Sequence, residues 1–156
     1  MADPTGTVDW KYSVTGSIER HELVISNNEP LVRGGFASLD LGTGTVEFSA
    51  DDAQHVFAGL VVQATSGQAE DLTGDGATKK VSIVGGVVLE KTAVTGATAI
   101  TDVGDFVYAA DGQTLTKTAG SNNRPCGYIT QWHNETTCDV RLFNLTESRL
   151  YAATVN

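Results

Sequence analysis

The chain has 156 residues, a formal charge of −9 and an apolar content of 40%. This length fits one domain, and the apolar content is too high for an intrinsically disordered chain. The acidic charge repels phosphate backbones and anionic lipid headgroups, so we expect neither nucleic-acid nor membrane partners. The first residues lack the basic and apolar regions of a signal peptide, so we expect a protein that is made in the cytoplasm.

Residues 1–30 differ in pattern from the rest of the chain. An alternation of apolar side chains predicts a short strand with one apolar face, which carries Val8, Trp10, Tyr12 and Val14. The segment is either the first hairpin of the domain or an extended N-terminal arm that reaches a neighbouring subunit. Exposed aromatic side chains are costly, so we expect these four residues to contact a partner or to pack on the domain's own core.

From residue 31 to residue 156, short apolar runs between polar turns predict a β domain. Residues 36–41 and 45–49 flank a Gly-Thr-Gly turn and should form a hairpin. Residues 56–65 are almost continuously apolar, which is typical of a central strand or of a strand that is covered on both faces. A long polar loop is predicted at residues 66–78.

The next segment is predicted to contain two strands and a helical turn. Residues 80–92 hold two apolar runs, and we expect a bend or bulge between them at Gly85 and Gly86. Residues 98–105 are the one segment with helical character, because Thr101 and Asp102 can cap a helical turn there.

Two hairpins complete the predicted fold. Residues 106–109 and 113–117 flank an Asp-Gly pair, which is the strongest hairpin signal in the chain. Residues 125–132 and 138–144 should form the last hairpin. The pattern as a whole indicates an all-β domain with short hairpins and at most one short helix.

The two cysteines are predicted to be free. If the last hairpin turns at residues 134 and 135, Cys138 faces Gln131 and Cys126 faces Phe143. The two sulfur atoms are then separated by about 16 Å along the strand. A disulfide requires Cα atoms within roughly 7 Å, so we expect two buried thiols.

No motif predicts a catalytic, cofactor-binding or metal-binding site, and we expect a protein that is not an enzyme. Residues 74–80 lack the spacing of a phosphate-binding loop and precede a strand where that motif needs a helix. Residues 71–82 share acidic positions with a calcium-binding loop but end in Ser82 instead of a bidentate Glu. His21, His55 and His133 are isolated from one another in sequence.

The order and spacing of five segments resemble the decoration, or cement, proteins of tailed-bacteriophage capsids. The segments are LVRGGFASLD at 31–40, HVFAGLV at 55–61, VSIVGGVVL at 81–89, DVGDFVY at 102–108 and PCGYI at 125–129. The resemblance covers residues 31–145 and leaves out the N-terminal segment.

The resemblance implies a small β-barrel-like or β-tulip sandwich on the outer surface of the virion. Such proteins bind the major capsid protein of the expanded head, commonly as homotrimers between capsomers, and stabilise the shell against internal DNA pressure. No catalytic residues accompany the family. Val8, Trp10, Tyr12 and Val14 are then predicted to contact the capsid or a neighbouring subunit.

A different interpretation is a receptor- or carbohydrate-binding β module, for example in a phage fibre. Aromatic side chains can stack on sugar rings, and the candidates in this chain are Tyr108, Tyr128 and Trp132.

Overall fold

The computed structural model describes residues 12–13, 18–64 and 72–155. Among these residues the strands are β1 (Tyr12–Ser13), β2 (Glu19–Val24), β3 (Pro30–Leu31), β4 (Phe36–Asp40), β5 (Val46–Phe48), β6 (His55–Ala64), β7 (Leu72–Thr73), β8 (Lys80–Gly85), β9 (Val88–Thr95), β10 (Phe106–Ala109), β11 (Leu115–Thr116), β12 (Gly127–Asn134) and β13 (Thr137–Leu142). A 3₁₀ turn at Ile100–Asp102 precedes β10, and one α-helix, α1 (Leu145–Val155), follows β13.

Strands β9, β11, β10, β12 and β13 form a small closed barrel, because β13 pairs back onto β9. The pairs are antiparallel except for β11 and β9, which are parallel. Alternate residues of β13 point inward, so Cys138, Val140 and Leu142 are buried. Closure leaves β9 and β13 paired with each other instead of exposing a free edge.

A five-stranded sheet with the order β2, β8, β6, β4, β5 packs beside the barrel. Phe57 and Leu60 of β6 belong to the hydrophobic cluster that fills the barrel, whereas Ala58 and Val61 belong to a second cluster. Gly59 has a φ of 145°, and a Cβ there would overlap the carbonyl oxygen of Val84. The sheet is therefore covered on both faces, and its two central strands approach each other closely at this glycine.

The chain passes from the five-stranded sheet to the barrel between β8 and β9. Gly86 adopts a φ of 84°, a left-handed conformation that favours glycine. The predicted bend at Gly85 and Gly86 is confirmed. A Cβ on Gly85 would lie 2.6 Å from Cα of Asn144, so this junction also packs against the start of α1.

Most of the predicted elements are confirmed, and the fold is all-β with a small barrel and one short α-helix. The hairpins of β4 with β5, β10 with β11 and β12 with β13 are present. Strand β6 is central, and the 3₁₀ turn lies in the segment that was predicted to be helical. In the predicted loop at 66–78, Leu72–Thr73 pairs with β3, while residues 66–71 lie outside the described part of the chain.

The prediction that residues 98–105 are the one helical segment is wrong, because α1 spans Leu145–Val155. The signal for this helix is an N-terminal capping pair. Oδ1 of Asn144 accepts the N–H of Glu147 at 2.8 Å, and Oε1 of Glu147 accepts the N–H of Asn144 at 3.0 Å. An Asn followed three residues later by Glu resembles a capping box. The helix that follows was not predicted because its sequence is only weakly amphipathic.

The predicted register of the last hairpin holds where Gly127 pairs with Leu142, but it is displaced by one residue at Cys138. Cys138 pairs with Trp132, not with Gln131, because the loop consists of Glu135 and Thr136 and the pairing of β12 with β13 is interrupted by bulges. Glu135 adopts a φ of 44°, which permits this tight turn. The prediction for the thiols is nevertheless confirmed, since both cysteines are free and buried.

Candidate functional site

The predicted contact residues of the N-terminal segment are only partly visible. Val8, Trp10 and Val14 lie outside the described residues. Tyr12 lies in β1, whose backbone pairs with β9 opposite Leu89. Farther along, β2 pairs with β8 over its whole length. The described strands of residues 1–30 thus extend the barrel and the five-stranded sheet, and their role in partner contact stays a prediction.

An exposed apolar surface lies around the 3₁₀ turn and the start of β10. Ile100 is 70% exposed, Val103 is 44% exposed and Phe106 is 40% exposed. We call these three residues the 100–106 patch. Singly exposed apolar residues need no explanation, but three large ones within seven consecutive residues indicate a contact surface.

Phe106 rests on an aromatic group that is formed where the barrel meets α1. Its ring centroid lies 5.1 Å from that of Tyr151 and 6.3 Å from that of Phe143, and both contacts are edge-on. Tyr128 of β12 completes the group, with its centroid 6.3 Å from Phe143. Edge-on aromatic contacts stabilise such a cluster, so they hold the ring of Phe106 in place at one end of the patch.

The three aromatic residues that were proposed to stack on sugars are each half-buried. The hydroxyl of Tyr108 donates to Oδ1 of Asn123 at 2.9 Å, and Nε1 of Trp132 donates to the carbonyl oxygen of Glu135 at 2.9 Å. Tyr128 packs on Phe143. The hydroxyl of Tyr108 and the indole N–H of Trp132 therefore already donate hydrogen bonds within the chain.

Two carboxylates that could suggest ligand sites are instead used to hold loops. The carboxylate of Asp75, in the calcium-like segment, accepts the backbone N–H groups of Ala77, Thr78 and Lys79. These hydrogen bonds, of which that from Lys79 is the strongest influence, hold the pKa of Asp75 far below its usual range. The carboxylate acts as a local turn cap.

The carboxylate of Asp102 likewise holds the backbone at the start of the 3₁₀ turn. It accepts the N–H groups of Thr98 and Ala99, and Nζ of Lys117 donates to its other oxygen. The hydrogen bond from Lys117, aided by the two backbone donors, lowers the pKa of Asp102 from 3.8 to about 2. Asp102 was predicted to cap this turn, and it does so through the N–H of Ala99, which is the cap residue.

The sequence did not reveal the cluster that is formed by Asp40, Glu47 and His55. A ligand atom from each residue lies within 4.8 Å of the other two, and among the described residues this is the one group of three with that property. Strand pairing produces the cluster, because Asp40 of β4 lies directly opposite His55 of β6. Asp40, Glu47 and His55 do not form a recognisable metal-binding motif, so the sequence gave no signal for the cluster.

The pKa values of the two carboxyl groups in this cluster shift in opposite directions. Burial raises the pKa of Glu47, and the attraction of His55 only partly opposes that effect. The N–H of Gly42, which donates to Oδ1 at 2.8 Å, is the main reason that the pKa of Asp40 is lowered. The proximity of Asp40 adds to the increase in the pKa of Glu47.

His55 borders a cavity of about 10 Å³ that is also lined by Ser38, Ser49, Arg124 and Cys126. Burial strongly raises the pKa of the Cys126 thiol, so the reactive thiolate is disfavoured there. A cavity of this size holds about one water molecule and no organic substrate. The described residues around it do not combine a nucleophile, a base and room for a reacting group.

No family model matches this chain, and no curated protein matches it. Among the described residues, no helix has both the length and the apolar character that crossing a membrane requires.

Proposed function

We propose that this protein is a non-enzymatic decoration protein of a tailed-phage capsid. It would bind the major capsid protein on the outer surface of the expanded head, bridge capsomers as a homotrimer, and stabilise the head against the pressure of packaged DNA. The location would be the virion, after synthesis in the host cytoplasm.

The observation that carries the proposal is the correspondence between the family-like segments and the architecture. The segments at 31–40, 55–61 and 81–89 supply β4, most of β6 and the β8–β9 junction. Those at 102–108 and 125–129 supply β10 and the start of β12. The residues that resemble the family thus lie mostly in the strands of both sheets, with the remainder in the turns that join them.

The 100–106 patch supports a function in which the protein provides a contact surface for a partner. Ile100 and Val103 expose apolar area on a turn that is held by Asp102, so the surface is presented without a large loss of conformational entropy on binding. A protein that is added in many copies to one shell needs only modest contacts per copy, because bridging neighbours adds avidity.

Co-sedimentation with expanded, undecorated phage heads tests this function, together with the solution mass from light scattering. We expect saturable binding at a ratio set by the three-fold positions of the shell, and the mass of a trimer. The double variant I100S/V103S should bind much more weakly, whereas L41S, which changes another exposed apolar residue, should bind normally.

The N-terminal prediction is tested by substitution, with W10S/Y12S in the full chain. Deleting residues 2–20 would cut into β2, which begins at Glu19 and pairs with β8. A monomer that does not bind heads would contradict the proposal. Saturable signals on a glycan array would then support the carbohydrate-binding alternative.

A further inference from the structure

Three neighbouring strands bring a histidine and two carboxylates to the same face of the five-stranded sheet. Asp40, at the end of β4, pairs with His55, the first residue of β6. Glu47 of β5 pairs with Ser38, which lies two residues before Asp40. Residues two apart on a strand share a face, so the three side chains converge. One ligand atom of each lies within 4.8 Å of the others.

His55 is buried and incompletely satisfied. Only 6% of the residue is exposed, and its Nδ1 is buried without a hydrogen-bond partner. Its Nε2 points at Glu47 and lies 3.7 Å from Oε1, which is longer than a hydrogen bond. A buried imidazole with this geometry is costly unless another group completes its contacts.

The surroundings of the cluster are strongly acidic. No Lys or Arg occurs between residues 34 and 78 of the sequence. The carboxylate of Glu29, which accepts the N–H of Phe48 next to Glu47 at 3.2 Å, adds a further negative charge nearby. The positive neighbour is Arg124, which lines the same cavity as His55 and donates to the carbonyl oxygen of Ala53.

We propose that Asp40, Glu47 and His55 bind a divalent transition-metal ion, for which Zn²⁺ is the best match. One imidazole and two carboxylates form a donor set that Zn²⁺ accepts, whereas Ca²⁺ and Mg²⁺ prefer oxygen ligands alone. With metal–ligand bonds of about 2.0–2.2 Å, tetrahedral ligand atoms lie roughly 3.3 Å apart. Small side-chain rotations close the cluster to that spacing, and water or a partner's side chain fills the fourth position.

The ion would link β4, β5 and β6, and it would satisfy the buried imidazole. The cavity that His55 lines has the volume of about one water molecule, and a water within reach of Nδ1 would accept its hydrogen, as metal-bound histidines usually require. The 100–106 patch reaches into β10 of the barrel, and none of its residues belongs to the cluster.

The test is a titration of the untagged, metal-free full chain with Zn²⁺, followed by competition with a chromogenic chelator. We expect one Zn²⁺ per chain. The variants D40N and H55Q should each lose at least about 10–100-fold in affinity, which is the loss that changing an outer-sphere partner already causes. In melting experiments, Zn²⁺ should raise the Tm of the wild type and leave the Tm of both variants unchanged.

His133 provides the matched control. Its Nε2 lies 2.8 Å from Asp139 and Glu90 lines the adjoining cavity, but these three residues do not bring one ligand atom each within 4.8 Å of one another. The variant H133Q should bind Zn²⁺ like the wild type, and Ca²⁺ should not compete. The proposal is overturned if the wild type binds no Zn²⁺, if D40N binds as tightly as the wild type, or if H133Q alone abolishes binding. A melt in chelator shows that each variant is folded.

Discussion

Asn144 and Glu147 cap each other at the start of α1, each side chain accepting the backbone N–H of the other residue. The same Glu147 accepts two hydrogen bonds from Nη1 of Arg141, at 2.8 and 3.0 Å, which ties the helix to β13. Glu19 of β2 accepts the N–H of Thr146 at 3.2 Å. The first turn of the helix is therefore fastened to both sheets.

The variant N144A should lower the free energy of unfolding by about 1–2 kcal/mol, because it removes the cap acceptor at a buried position. In a chain of this size the Tm should fall by roughly 2–4 °C for each kcal/mol. Urea unfolding measures the change. N144D keeps an acceptor and should retain most of the stability, and N134A at the exposed end of β12 should be nearly neutral. Equal losses in N144A and N134A would contradict the role of the cap.

The pair of Phe106 and Tyr151 should show energetic coupling. Their rings make an edge-on contact at 5.1 Å, and such pairs contribute about 0.5–1.5 kcal/mol beyond their buried area. A double-mutant cycle of F106A and Y151A, followed by urea unfolding, should yield a coupling free energy in that range. A cycle of L41A with Y151A is the control and should be additive within about 0.5 kcal/mol. Additivity in the first cycle would show that α1 does not dock through this contact.

Asp102 should make stability depend on pH in the acid range. Its pKa is lowered from 3.8 to about 2 in the folded chain, so its contribution is fully present above about pH 4. The contribution is lost as the pH falls through about 2, because the Asp102 carboxyl group is then protonated in both the folded and the unfolded state. The Tm difference between wild type and D102N should therefore be largest near neutral pH and should shrink in acid.

The control for this dependence is D105N. Asp105 also lies 3.0 Å from Lys117, but its side chain is 48% exposed and the exposed ion pair should contribute little. A pH profile of D105N that resembles that of D102N would contradict the assignment of the effect to Asp102.

Both thiols should be inert in the folded protein. Burial raises the pKa of Cys126 and of Cys138, and the thiolate is the reactive form. Titration with a thiol-specific chromogenic disulfide should detect no rapid reaction in native buffer and two thiols per chain in urea. One rapidly reacting thiol in native buffer would contradict the buried placement, and fewer than two in urea would reveal a disulfide.

The sequence by itself determined most of the strands, their hairpin turns and the state of the cysteines. Hairpins at the Gly-Thr-Gly turn and at Asp111 with Gly112 follow from local backbone preferences, and β6 follows from a continuous apolar run that only burial on both faces explains. The start of α1 is also encoded locally, by the spacing of Asn144 and Glu147. The segment after this cap is only weakly amphipathic, so the sequence pattern did not predict the helix.

Only the tertiary structure decided the closure of the barrel and the composition of the Asp40 cluster. Barrel closure depends on the pairing of β13 with β9, whose partners Cys138 and Thr92 are far apart in sequence. Asp40 and His55 meet because of a strand register that bulges adjust by single residues, as the displaced pairing of Cys138 also demonstrates. Each strand's own pattern specifies which face is buried, but the partner residue across the sheet depends on the packing of the whole domain.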